Sequence, residues 1–301
     1  MKKISARVSA LFTALLVAAT CFFSAGHADT PDIGECKALF SHGSINWTTG
    51  KVQATGRALP PEQEMEQASE YILSAARADA SRHLIAILKQ IHLTANMPVE
   101  KHIASKDRRM AGIEEIASNA LIKKQHYISD RSMEVTLETS MLGGFLQLVL
   151  PEKIKQIPEI RTINPEQKPE SQKAYTGLVI DARELDFQPV LYPVVVSEQG
   201  EEIYSALFIS REHAVQRGVC QYVCGSDLTG ALKKAGENPI LVKGLRKGRE
   251  NNSTIVIAWP DSEKIEKATE HYRFMRECRV VILLDTPMES RDSPASKTKI
   301  P

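Results

Sequence analysis

The chain has 301 residues, which is enough for two domains of ordinary size or for one large domain. Hydrophobic residues make up 43% and charged residues 25%, close to the averages of globular proteins, and this excludes a chain that is disordered throughout. The formal charge of +1 at pH 7 shows no basic excess of the kind that nucleic-acid-binding proteins carry, so we expect no nucleic-acid partner.

The first 28 residues predict a secretory signal peptide. Three basic residues lie between positions 2 and 7, residues 11–23 are apolar, and Gly26 and Ala28 place small side chains at the −3 and −1 positions of a cleavage site. The apolar run is too short to span a bilayer comfortably. We therefore expect an exported protein that resides in the periplasm or is associated with the outer membrane.

A lipid anchor at Cys21 is the alternative processing route. Residues 18–20 read Ala-Ala-Thr, and they lack the leucine at −3 and the Gly or Ala at −1 that usually precede a lipidated cysteine. Phe22 and Phe23 continue the apolar region instead of starting a mature protein. Cleavage after Ala28 is therefore the prediction, and lipidation of Cys21 is disfavoured.

Four cysteines follow the predicted cleavage site: Cys36, Cys220, Cys224 and Cys278. An even number of cysteines in an exported protein permits disulfides, but the sequence leaves their pairing open, and buried free thiols are equally compatible with it. Cys220 and Cys224 would lie on one face of a helix, which is an awkward separation for a bridge between them. His213 together with Cys220 and Cys224 matches no zinc-ligand spacing, so we expect no metal site.

The first half predicts a small α+β domain over residues 45–150, with a long helix packed on one face of a sheet. Apolar residues recur at three- and four-residue steps from Met65 to Ile91, and four alanines between positions 75 and 80 keep the middle of this helix slim. In chain order we predict a polar leader over 29–44, strands from Ile45, the helix over 62–91, a loop over 94–108, a helix over 110–122 and two antiparallel strands within 124–141.

Residues 151–172 predict a linker, because they contain four prolines and many charges. A second α+β domain, a mixed or antiparallel sandwich, is predicted over residues 173–285, followed by a disordered tail over 286–301. Its predicted elements are a strand over 175–182, a hairpin with strands over 194–196 and 203–207, helices over 211–222 and 228–235, strands over 239–243 and 254–259, a helix over 261–277 with Asp261 as its N-cap, and a strand over 279–285.

Asp181 is a candidate catalytic residue, because it ends the apolar run of residues 178–180. A catalytic carboxylate needs a second acid, a histidine or a metal beside it, and no spacing in the sequence forces such a partner close to Asp181. The chain also contains no nucleophile elbow, phosphate loop or metalloprotease helix. We therefore interpret Asp181 as a turn former paired with Arg183 or another base, and expect no enzyme activity and no cofactor; a hydrolase is the minor hypothesis. The residues that could act with Asp181 in catalysis are Glu184, Asp186, His213, Asp227, Asp261, His271 and Asp285.

Two further patterns allow binding hypotheses. His83 lies on the apolar stripe of the long helix, which favours a hydrogen-bonded core histidine over a ligand or a base. Lys243, Arg246, Lys247 and Arg249 fall in a predicted flexible hairpin loop. These four residues could bind an anionic cell-wall or lipid component, or could form only a solvated hairpin tip.

Three segments of the first half carry a family resemblance. They are the strand KVQATGRA that follows Trp47, with its A-x-G step, the helix SEYILSAARADASRHLIAILKQI, and the strand MEVTLETSMLGG. Together they resemble the LPP-20 lipoprotein family and the N-terminal domain of the flagellar protein FlgT, over about residues 45–150. The well-described members of this family are not enzymes, so the resemblance implies a structural or interaction role.

The second half is similar to a region that follows this domain in bacterial envelope proteins. That region contains the pattern Y-T-G-L-V-I-D-A-R-G-L, and here Glu184 stands where the pattern has glycine. The two resemblances together imply an exported envelope protein with flagellar basal-body or outer-membrane partners, peripheral membrane association, or contacts between copies of the chain. A periplasmic binding module for an anionic ligand is the alternative function.

Overall fold

The computed structural model describes residues 34–60, 68–104, 107–128, 131–151, 174–225, 228–249, 252–268 and 271–285. The predicted signal peptide, with Cys21, lies outside these residues, as do the tail over 286–301 and residues 152–172 of the linker. The described residues contain helices and several sheets, which confirms the predicted α+β class. None of their helices is long and apolar enough to cross a membrane.

The first half is built on a five-stranded antiparallel sheet with the order β1-β2-β3-β7-β6. Its alternating residues produce one buried and one polar face; in β7, for example, Met133, Val135 and Leu137 are buried and the residues between them are half-buried. The strands are β1 (Lys37–Phe40), β2 (Gly43–Asn46), β3 (Lys51–Ala58), β6 (Leu121–Tyr127) and β7 (Met133–Ser140).

Helix α1 (Ala68–Gln90) packs on the apolar face of this sheet, across β3 and β7. Its slim alanine segment permits a very close approach to β3. A Cβ on Gly56 would lie 2.6 Å from the Ala76 carbonyl oxygen and would overlap the backbone nitrogen of Ala80. The A-x-G step of β3 therefore exists because the helix backbone occupies the space of a side chain.

Smaller elements complete the first half. The elements are β4 (His92–Thr94), β5 (Met97–Pro98), α2 (Val99–Ile103), α3 (Asp107–Ser118) and α4 (Gly144–Val149). The predicted loop over 94–108 instead contains the end of β4, strand β5, helix α2 and the start of α3, and Val99 and Ile103 of α2 are buried in the core.

The second half is a seven-stranded mixed sheet with the order β10-β9-β13-β12-β8-β14-β11. Strands β12, β8, β14 and β11 are mutually parallel, whereas β10 and β9 form the predicted antiparallel hairpin. The strands are β8 (Gly177–Asp181), β9 (Val194–Ser197), β10 (Glu202–Tyr204), β11 (Gln221–Cys224), β12 (Pro239–Lys247), β13 (Thr254–Ile257) and β14 (Val280–Leu284).

Four helices surround this sheet. Helix α6 (Leu228–Ala235) covers one face, where Ala231 and Ala235 pack on Val179, Val281 and Leu283. The opposite face joins the buried residues of the first half in one continuous hydrophobic core, so the two sheets share their interior. The other helices are α5 (Arg211–Arg217), α7 (Trp259–Lys267) and α8 (His271–Arg276).

Several predicted boundaries differ from the structure. The leader predicted over 29–44 contains β1 and the start of β2, because Cys36 is buried and tied into the fold. The helix predicted over 211–222 ends at Arg217, since Gly218 has a φ of 87° and the chain then enters β11. The helix predicted over 261–277 is two helices, and Ala258, not Asp261, is the N-cap of the first.

Candidate functional site

Asp181 lies at the carboxyl end of β8 and is paired with Arg183. The guanidinium Nη2 lies 2.6 Å from Oδ2 of the carboxylate and Nε lies 2.8 Å from Oδ1, while the Arg183 backbone N–H also donates to Oδ1 at 3.2 Å. These hydrogen bonds from Arg183 lower the pKa of Asp181 despite its partial burial. An ionised carboxylate with both oxygens engaged is a turn former, as its sequence position predicts, and a poor general acid.

Parallel pairing brings further charges to the same sheet edge. Because β14 runs parallel beside β8, Asp285 reaches the turn after Asp181, and its Oδ2 accepts a hydrogen bond of 2.8 Å from the Glu184 backbone N–H. Lys243 ends the segment of β12 paired with β8, and its Nζ lies 3.7 Å from Glu184 Oε2. These contacts make this edge of the sheet an ion-pair network.

Replacing Asp181 by asparagine is expected to lower the free energy of unfolding at pH 7 by about 0.5–1 kcal/mol, as for other surface ion pairs. Because the folded-state pKa is lowered, the carboxylate stabilises the fold above its unfolded pKa, near 3.9, and this contribution disappears as the pH falls through the lower folded value. Urea unfolding of both proteins between pH 7 and pH 3 measures the difference.

The matched control for this experiment is Asp186→Asn, which removes one negative charge from the same turn. Asp186 pairs with Lys247 at 3.3 Å, and its side chain is almost fully exposed. If the difference in the free energy of unfolding between wild type and Asp181→Asn were as large at pH 3 as at pH 7, the ion pair with Arg183 would not be its cause.

The predicted basic loop is largely a strand. Three of its cations, Lys243, Arg246 and Lys247, lie in β12, which extends beyond the predicted end at residue 243, and exposed Arg249 follows it. The extension pairs with β13, where Gly244 faces Ile257. Since Lys243 and Lys247 face the acids of the turn after β8, an anionic ligand would have to displace these pairs.

The remaining acid and histidine candidates that the structure describes lie on elements other than β8. His213 lies in α5, and its Nδ1 is buried without a hydrogen-bond partner among them. Asp261 lies in the first turn of α7, His271 begins α8, and Asp227 falls outside the described residues. The described part of the chain contains no group of three His, Cys, Asp or Glu residues that could hold a metal ion.

His83 is held within the first domain, as its position on the apolar stripe predicts. Its Nδ1 lies 2.8 Å from the Thr55 carbonyl oxygen and 3.9 Å from Asp79 Oδ2. Its ring also stacks on His42, with 4.1 Å between the ring centroids. These contacts link α1 to the sheet, and they give His83 a structural role.

The structure resolves the open question of cysteine pairing. Cys36 and Cys224 form a disulfide that joins the start of the first sheet to the end of β11, and both residues are buried. Cys220 and Cys278 are free thiols, and burial raises the pKa of each to about 12. Neither thiol is therefore a nucleophile at neutral pH. The strand geometry of β11 explains why Cys220 and Cys224, predicted on one helix face, do not pair with each other.

Strand β6 presents an exposed surface that was not predicted as a binding site from the sequence. It is the last strand of the five-stranded sheet, and all seven of its residues are exposed. Leu121 is 73% exposed and Tyr127 is 56% exposed, with Ile122 between them. The register places Ile122 opposite Leu137 and Tyr127 opposite Met133, on the face that α1 covers elsewhere in the sheet. The sequence LIKKQHY shows apolar residues at both ends of a basic centre, but it does not reveal that this strand lies at an edge.

Comparison with known proteins finds a similarity for part of the chain. No curated protein matches it in a sequence search. Residues 177–286 match the family model of the second domain of Tp0624 from Treponema pallidum, and the match runs from β8 to the end of β14. The resemblance of the first half to the LPP-20 family and to FlgT stays a prediction. The seven-stranded mixed sheet is thus similar to the second domain of a bacterial protein family.

Proposed function

We propose that this chain is an exported envelope protein that acts by binding another protein, and that β6 is the strand to which the partner adds. The observation that carries the proposal is an edge strand exposed along its whole length, with large apolar side chains on it. Such an edge can accept an extended segment through main-chain hydrogen bonds, while side-chain contacts determine which segment binds.

The charges of β6 favour an acidic partner over a second copy of the chain. Lys123, Lys124 and His126 lie between the apolar ends of the strand. Antiparallel pairing of two β6 strands centred on Lys124 would place the two Lys124 ammonium groups opposite each other, and like charges in that position are destabilising. The irregular register at Lys123 also discourages unspecific edge pairing. An extended segment with alternating apolar and acidic residues fits this edge.

Export is supported by observations that do not involve β6. A buried disulfide between residues 188 positions apart persists in an oxidising compartment such as the periplasm. The predicted signal peptide and the resemblance to envelope proteins agree with this location. We propose in addition that the partner is a flagellar basal-body protein or an outer-membrane protein.

The experiment is in-cell cross-linking of the tagged full-length protein with a photoreactive residue at Gln125, in the middle of β6. We expect one envelope protein to be captured, and its cross-linked peptide to be extended and acidic. Replacing Leu121, Ile122 and Tyr127 by serine should reduce capture at least tenfold, because these side chains supply the apolar contacts.

The matched control replaces Leu241 and Leu245 by serine. Both lie in β12 and are comparably exposed, at 50% and 46%, but they belong to the other sheet. This control should leave capture unchanged. Equal capture by the β6 variant and by wild type would refute the assignment of β6, and capture of only the chain itself would refute the choice of partner.

A further inference from the structure

We propose that a cavity at the seam between the two halves binds a small molecule with a single aromatic ring or short alkyl group and a carboxylate. The cavity has a volume of about 250 Å³. Its walls come from the turn between β2 and β3, the start of α4, and the segment from the end of α5 into β11. It is separate from β6 and from the charged turn at Asp181.

The walls of the cavity are mainly apolar. Trp47 and Tyr222 meet edge to face with 5.9 Å between their ring centroids. Leu142, Leu146 and Val190 add aliphatic surface. Since apolar cavities of about 150 Å³ in proteins bind benzene, a volume of this size accommodates one ring or a short branched chain together with a polar group.

The charged residues of the lining are all cationic. Arg217 and Lys234 line the cavity, and no acidic residue does so among the described residues. Within the described part of the chain, Arg217 donates a hydrogen bond to the Glu277 carbonyl oxygen at 3.4 Å, and a guanidinium has five N–H donors. Lys234 donates to the Thr48 carbonyl oxygen at 3.3 Å and is the second cation of the lining. A carboxylate is the group that this arrangement recognises.

The binding geometry is fixed before any ligand arrives. The Trp47 backbone N–H donates to the Cys36 carbonyl oxygen at 2.8 Å, and the Cys36 N–H donates to Thr48 Oγ1 at 2.9 Å. Cys36 is bonded to Cys224, two residues beyond Tyr222 on β11. The disulfide therefore ties the two aromatic walls together, and a preorganised site loses less conformational entropy on binding.

The test uses Trp47 as its own reporter. The chain contains two tryptophans, so Trp259→Phe leaves Trp47 as the only indole. We expect titration with 3-phenylpropionate to change Trp47 fluorescence saturably. The neutral analogue 3-phenylpropan-1-ol should bind at least tenfold more weakly, because it cannot pair with Arg217.

Two variants separate recognition from folding. Arg217→Gln should weaken 3-phenylpropionate binding at least tenfold and leave the alcohol unaffected, and this residue is exposed enough for the fold to tolerate the change. Arg276→Gln, an exposed arginine in α8, is the matched control and should bind like wild type. No saturable change with 3-phenylpropionate, equal affinity for acid and alcohol, or an unaffected Arg217→Gln variant would each overturn the proposal.

Discussion

Replacing Gly56 by alanine is expected to destabilise the protein by about 3 kcal/mol or more, which is the upper part of the range for overpacked cores. The added Cβ would overlap the backbone of α1 at Ala76 and Ala80 and would force the helix away from β3. That displacement would open the contacts of α1 with β2, β3 and β7. Urea unfolding of the purified variant measures the loss as a lower midpoint.

Two control variants test whether the loss of stability comes from the close approach of α1 to β3 at Gly56. Gly144→Ala should change stability by less than about 0.5 kcal/mol, because a Cβ there meets nothing within 4 Å. Adding Ala80→Gly to Gly56→Ala should not restore stability, since the overlap is with the helix backbone and not with the Ala80 side chain. Restoration by this second change, or a Gly56→Ala protein as stable as wild type, would show that α1 and β3 lie further apart.

Removing the disulfide with the double change Cys36→Ala and Cys224→Ala is expected to destabilise the protein by about 4 kcal/mol. The bond closes a loop of 188 residues, and restricting an unfolded chain over so long a loop stabilises the folded state most. The measurement is urea unfolding with and without dithiothreitol. Wild type should lose stability on reduction, whereas the double variant should be insensitive to the reductant.

Cys220→Ala is the control for the disulfide prediction. Cys220 is a free thiol immediately before β11, the strand that contains Cys224, so this variant should keep the full sensitivity to dithiothreitol. If reduction affected the Cys36 and Cys224 double variant as strongly as wild type, another pair of cysteines would have to carry the covalent bond.

The sequence predicted best those elements that are encoded locally. Helical periodicity identified α1, and strict alternation identified β7, whose residues pair with β3 over their whole length. The strand β14 was predicted from its continuous apolar run, which is typical of a strand buried on both faces. In each case one short segment contained all the information needed.

Features that depend on distant pairing could not be predicted in the same way. Residues 221 and 222 were predicted as the end of a helix, but they lie in β11 because they pair with β14. The proximity of Asp285 to the turn after Asp181 likewise arises only because β14 lies parallel beside β8. The edge position of β6 and the cavity at the seam are also products of tertiary arrangement, so neither candidate site has a local sequence signature.

The bond between Cys36 and Cys224 also determines how the molecule responds to proteolysis. A protease that cuts the chain once between these positions, for example in the proline-containing segment over 151–172, produces two fragments that each retain one cysteine of the pair. The fragments remain one covalent molecule, and the shared core remains between them. A single cleavage in this segment therefore releases neither half; separation requires reduction of the disulfide as well.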